Sequence, residues 1–152
     1  MKIPTLYYSG KLRKTIHIIT NDPNAGTIKL NVSADIKEVL VVRPRYINFG
    51  KVKQGSTYKR EITLTNKGEK EISITDIVLR PEGVMSIEPT NKITLIPDQE
   101  KTFSLLFTPS DKTGQFRGAI IIKTDINYLP KKIIRVQAKP LSNHQDKHLY
   151  KD

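Results

Sequence analysis

A chain of 152 residues without a single cysteine excludes disulfides, thiolate nucleophiles and zinc–thiolate centres together, while leaving enough length for one buried core and an appendage. Its 26 Lys and Arg against 15 Asp and Glu give a net charge of +11, which favours polyanionic contacts, and no apolar run approaches the length of a membrane span. The opening MKIPTLYYSGKLRK is charged but has no apolar h-region, so no signal peptide is expected: cytoplasmic as written, periplasmic or cell-surface if the chain is a fragment of a longer exported protein.

The first predicted elements are two short strands around a turn, TIHIITNDPNAGTIKLNVSADI from Thr15 to Ile36. The turn holds Asn21-Asp22-Pro23, where an Asp side chain accepting backbone N–H bonds is the ordinary arrangement. His17 lies between Ile16 and Ile18 and points away from their face, as a surface imidazole does. Asn31-Val32-Ser33 fits the glycosylation sequon, which has meaning only in a eukaryotic secretory route.

Alternation with period two then recurs along the chain. In YKREITLTN, Tyr58, Ile62 and Leu64 share one face and Lys59, Glu61 and Thr63 the other. EISITDIVL follows, with Ile72 and Ile74 in phase, and the intervening NKGEK supplies Asn66 and Gly68 for a tight turn, so the two strands are expected to form a hairpin. NKITLIP, KTFSLLFTP, FRGAIIIKT and KKIIRVQA complete the strands, rich in β-branched or aromatic residues and bounded by Pro, Gly, Asn or Asp. Short strands at roughly ten-residue spacing, with no helical periodicity between them, predict an all-β fold, an immunoglobulin-like antiparallel β-sandwich. The expected core is Val41, Ile47, Phe49, Val52, Ile62, Leu64, Ile72, Ile74, Leu79, Ile87, Leu95, Phe103, Leu105, Phe107, Phe116, Ile120, Ile122, Ile134 and Val136. Burial of side chains of this size contributes about 1.5–3 kcal/mol each. LSNHQDKHLYKD at the end loses both alternation and apolar content and is expected to be a disordered tail.

The opening hairpin repeats near the end of the chain. A shift of 104 (114 − 10) places Gly10 on Gly114, and with it Leu12 falls on Phe116, Arg13 on Arg117, Ile16 on Ile120, Ile18 on Ile122 and Thr20 on Thr124. Without a gap, Leu30 falls on Ile134, Val32 on Val136 and Ala34 on Ala138. A spacing of about one hundred residues is the size of one sandwich, so residues 1–36 read as the closing hairpin of a preceding, incomplete repeat. Residues 37–140 then form a complete sandwich and 141–152 the tail.

YINFGKVKQGSTYKREITLTNKGEKEISITDI, from Tyr46 to Ile77, resembles the opening of bacterial Hydin-like and abnormal-spindle-like (major sperm protein-like) immunoglobulin-fold domains: an aromatic-Gly-x-Val strand, a Gly, a strand and an Asn-x-Gly turn. That family's closing pattern, a Gly, an apolar strand, a Thr-Asn-Asp-Pro turn and a second strand, matches Gly10 through Ala34. Gly114 through Ala138 match it more loosely, with Asp125 to Asn127 in place of Asn-Asp-Pro. The resemblance implies tandem sandwiches, in bacteria often on exported proteins of unknown role, and in eukaryotes modules akin to cytoskeletal or ciliary adaptors.

Nothing in the sequence composes a chemical site. His144 and His148, with Asp146 between them, have a chelating spacing but lie on the expected tail, and no metal or cofactor is expected. There is no G-x-S-x-G elbow, no phosphate loop and no convergent pair of acids, so neither enzyme activity nor a small-molecule substrate is expected. Two partner classes follow. Ile16, Ile18, Leu30 and Val32 form an apolar face whose opposing sheet is not encoded, which predicts a protein partner or self-association. The alternative is a polyanion (nucleic acid, acidic glycan or anionic lipid) bound through basic groups, of which Arg43 with Arg45, Lys51 with Lys53, and Lys131 with Lys132 are the tightest. Most Lys and Arg instead alternate along strands, as on a solvated outer face, and the aromatics free to stack on bases, such as Tyr7, Tyr8 and Tyr58, are few.

Overall fold

Alternating apolar positions make strands, and in the computed structural model every regular element among the described residues is one. The structure describes residues 9–24, 26–110 and 114–141. The expected tail beyond Leu141, with His144, Asp146 and His148, lies outside them, as do Tyr7 and Tyr8. The chain divides into two compact units, Met1–Val39 and Leu40–Asp152.

The first unit is an antiparallel pair, β1 (Gly10–Ile19) and β2 (Thr27–Ile36). The second is the sandwich. One layer has the order β4 (Tyr46–Lys53), β11 (Lys131–Leu141), β10 (Phe116–Thr124), β6 (Ile72–Arg80), β8 (Ile93–Leu95). The other has the order β3 (Leu40–Arg43), β5 (Tyr58–Asn66), β9 (Glu100–Phe107), β7 (Met85–Glu88). The fold is thus all-β and immunoglobulin-like, and antiparallel except where β4 runs parallel to β11.

Both layers supply the core. Ile47 and Val52 on β4, Ile62 and Leu64 on β5, Phe103, Leu105 and Phe107 on β9, Ile120 and Ile122 on β10, and Ile134 and Val136 on β11 are all buried. Phe107 joins three of these strands through its ring, at 5.0 Å from Phe49 and 4.6 Å from Phe116, separations within the range of aromatic pairs. Met85, Leu129 and Ala138 are further core residues.

Three expectations change. Leu40 and Val42 are buried while Val41 is only half-buried, because Val39 to Val42 is a continuous apolar run in which alternation sets no phase. Leu79 and Phe116 are likewise half-buried. Most consequentially, β5 and β6 are not a hairpin: they lie in different layers, and the chain crosses the sandwich between them. The cause is Asn66, which is fully buried. Its side chain donates from Nδ2 to the carbonyls of Lys70 and Leu95, each at 2.8 Å, and accepts the Gly68 N–H at 2.8 Å. Its backbone donates to Gln99 O and accepts from Asp98 N–H. A side chain that satisfies this many buried groups holds an arch across the layers, which is a different task from closing a two-residue turn.

Candidate interaction surface

Residues of β1 and β2 alternate between two faces, and the pairing register fixes which stand opposite each other. On one face Leu12 is opposite Ala34, Lys14 opposite Val32, Ile16 opposite Leu30 and Ile18 opposite Ile28. The other face carries Lys11, Arg13, Thr15, His17 and Ile19 against Asp35, Ser33, Asn31, Lys29 and Thr27. That second face is built for water: Thr15 Oγ1 donates to Asn31 Oδ1 at 2.8 Å, and His17 is exposed beside Lys29. The four residues expected to form an apolar patch therefore do share one face. Ile18 and Leu30 are 43% and 49% exposed and Ile16 and Val32 half-buried. Ile28, 47% exposed, extends the face and escaped the repeat comparison, because its counterpart is the polar Lys132.

The hairpin reproduces β10–β11 in detail. Applying the shift of 104 turns Leu12 opposite Ala34 into Phe116 opposite Ala138, and Ile16 opposite Leu30 into Ile120 opposite Ile134; both are observed pairs. The turns agree as well. Thr20 N–H donates to Gly26 O at 3.1 Å, and Thr124 N–H to Pro130 O at 3.1 Å. Asp22 N–H donates to Thr20 Oγ1 at 3.2 Å, and Ile126 N–H to Thr124 Oγ1 at 3.2 Å. Gly10 and Gly114 both have positive φ, +83° and +110°, a conformation that glycine alone enters cheaply. Asp22 closes its turn by accepting the Asn24 N–H at 2.8 Å. Lys14 is among the positions that depart: it stands where β10 has Gly118, at which an added Cβ would lie 2.9 Å from Arg80 O.

The counterparts of Ile16, Val32, Ile18 and Leu30 are among the most enclosed residues of the sandwich: Ile120 and Val136 are 0% exposed and Ile122 and Ile134 1%. Among the described residues neither β1 nor β2 pairs with a third strand.

The basic groups are divided. Arg43 ends β3 in the four-stranded layer, with Nη1 donating to Val42 O, and Arg45 lies beyond the strand, whereas Lys51 and Lys53 are on β4 in the five-stranded layer. All four are exposed. The parallel register instead sets Lys51 beside Lys139, and a recess of about 500 Å³ there is lined also by Asn48, Gly50, Gln115 and Gln137. Elsewhere cations meet acids. Lys67 donates to Asp98 at 2.9 Å, which raises the Lys67 pKa, and Lys123 donates to Asp76 at 2.9 Å, which lowers the Asp76 pKa. Among the described residues no three His, Asp or Glu gather as metal ligands, and no helix is long and apolar enough to cross a membrane.

A family model for HYDIN/CFA65/VesB-like, Ig-like domains matches residues 38–139, the span of the sandwich. The chain belongs to that family. A search of curated proteins found no match. Among solved structures, this HYDIN-like chain is similar to a protein of unknown function from Porphyromonas gingivalis W83, at 16% identity and a TM-score of 0.55, covering 90% of this chain and 69% of that one. It is also similar to the ASH / PapD-like domain 7 of human CEP192, at 12% identity and a TM-score of 0.53, over 68% of this chain and 86% of that one. The secreted serine protease VesC from Vibrio cholerae shares the fold at 15% identity and a TM-score of 0.50, over 62% of this chain but 21% of the protease. These likenesses concern the fold. The HYDIN-like second unit has 113 residues (152 − 39), fewer than 90% of the chain, so the Porphyromonas match reaches into the first unit.

Proposed function

We propose that this chain is a non-catalytic structural and protein-interaction module of a tandem HYDIN-like array, acting as a scaffold or adaptor, and that β1–β2 is the closing hairpin of a preceding repeat. The observation that carries the reading is the agreement of register and turn bonding between β1–β2 and β10–β11, set beside the exposure of the first pair's apolar face. An isolated two-stranded ribbon is marginal in water, so this face needs a cover. Sedimentation over a concentration series, with amide exchange on the same samples, tests it. The expected result is self-association, or exchange over 15–32 faster than over 120–136. A monomer at high concentration with equal exchange in both hairpins overturns the reading.

A polyanion-binding role has one observation in its favour, the juxtaposition of Lys51 and Lys139 at the recess beside β4. Its signature is affinity for single-stranded DNA that falls steeply with salt.

A further inference from the structure

Resting on the tandem-module reading, we infer what covers the hairpin: the equivalent of β3–β9 from another repeat of this family, an immunoglobulin-like sandwich lacking its last two strands. It lays one strand antiparallel along β1 from Thr15 to Thr20, and another parallel along β2 from Asn31 to Asp35.

The second unit supplies the template. There β10 pairs antiparallel with β6 from Ala119 opposite Arg80 to Thr124 opposite Ile74, and β11 pairs parallel with β4 in a ladder that ends at Leu141 opposite Lys53 and whose first part runs from Arg135 opposite Tyr46 to Lys139 opposite Lys51. Moved back by 104, these registers fall on Thr15–Thr20 and on Asn31–Asp35. The first residue of the β10–β6 ladder maps onto Thr15, next to Lys14, which stands in place of Gly118; an added Cβ at Gly118 would lie 2.9 Å from Arg80 O, so the covering strand's carbonyl must shift at that end of the ladder. Leu12 takes the place of Phe116, which packs on Phe107, so the cover presents an aromatic ring or its equivalent to Leu12.

A second copy of this chain does not offer that slot. Its own β10–β11 already lies between β6 and β4, with Ile120, Ile122, Ile134 and Val136 enclosed. Where two copies join hairpin to hairpin, a two-fold axis that sets β2 against β2 makes them antiparallel. Parallel pairing on β2 therefore distinguishes a repeat from a second copy.

The test supplies the missing strands. Residues 37–113 of this sequence are placed ahead of the intact chain, and amide exchange is read over 15–20 and 31–35. Loops tolerate the few extra residues at the junction. Exchange there is expected to slow about a hundredfold or more relative to the unfused chain, in step with the added strands. The slowing is lost in a fusion carrying Ile16→Asp and Leu30→Asp, while protection over 120–136 is kept. Added strands that stay unprotected beside an unchanged hairpin overturn the inference, as does a Ser33→Cys variant of the unfused chain that cross-links rapidly to a second β2. In either case the interaction-module reading survives if the chain still self-associates through Ile16 and Leu30. A hairpin already protected in the monomeric, unfused chain overturns both.

Discussion

β1–β2 and β10–β11 share a register, a turn with the same two hydrogen bonds and the same succession of inward positions, yet Ile18 is 43% exposed where Ile122 is 1%, and Leu30 49% where Ile134 is 1%. Strand alternation and turn chemistry act locally, and they specify both hairpins equally well. Burial is a non-local quantity, set by the layer opposite, and β10–β11 belongs to a sandwich whose other layer is β3, β5, β9 and β7. Equal local geometry with unequal burial means unequal energies, since the hydrophobic contribution follows area removed from water.

The largest expected difference is in core truncation. Ile120→Ala or Ile134→Ala is expected to cost about 2–5 kcal/mol in urea unfolding of the sandwich, from lost transfer energy plus the cavity. The equivalent Ile16→Ala and Leu30→Ala are expected to move the same transition by less than about 0.5 kcal/mol. Equal costs in the two hairpins would erase the comparison. Asn66→Ala comes next, at roughly 2–4 kcal/mol, because it strips Lys70 O, Leu95 O and Gly68 N–H of a buried partner. Among the described residues the first unit shows no such arch, so this change is expected to leave amide exchange in β1–β2 untouched.

Much of this was legible in the sequence, and the gaps have physical causes. Alternation marks a strand and its dry face, hence the all-β sandwich and the matching register of the two hairpins. It does not say which layer a strand joins. β5 and β6 each bury one face, and that pattern serves a hairpin and an arch equally; only the burial of Asn66 decides. The parallel pairing of β4 with β11 leaves no trace in residue pattern either, and it is this pairing that places Lys51 beside Lys139 rather than with Arg43 and Arg45. The apolar face of β1–β2 was visible through its counterparts, and Ile28 was hidden for the same reason, standing opposite a lysine in the comparison.

If the polyanion reading holds, the difference between units extends to charge. Lys51→Glu with Lys139→Glu is expected to lower the slope of log affinity against log salt for single-stranded DNA by about 1.4, taking roughly 0.7 per lost phosphate contact. Binding measured by anisotropy at several salt concentrations reads the slope directly. A slope unchanged by the double substitution removes the recess beside β4 from the binding surface.

The smallest effect concerns pH. The hydrogen bond from Lys123, reinforced by its charge, holds the Asp76 carboxyl below its ordinary value of 3.8, and the two side chains are about half exposed. A carboxyl with a lowered folded pKa stabilises the native state fully above the unfolded value and loses that contribution as pH falls through the folded one. Wild-type urea midpoints are therefore expected to fall relative to those of Asp76→Asn only below about pH 4, with a small amplitude because the pair is solvated. In the hairpin the position of Lys123 is taken by Ile19, 85% exposed and uncharged, so no such pair can form at the end of β1. The acid sensitivity of amide exchange should accordingly be confined to β6 and β10, with β1 showing none at the corresponding residue. An equal acid response at Ile19 and Lys123 would show that the Asp76 bond is not its source.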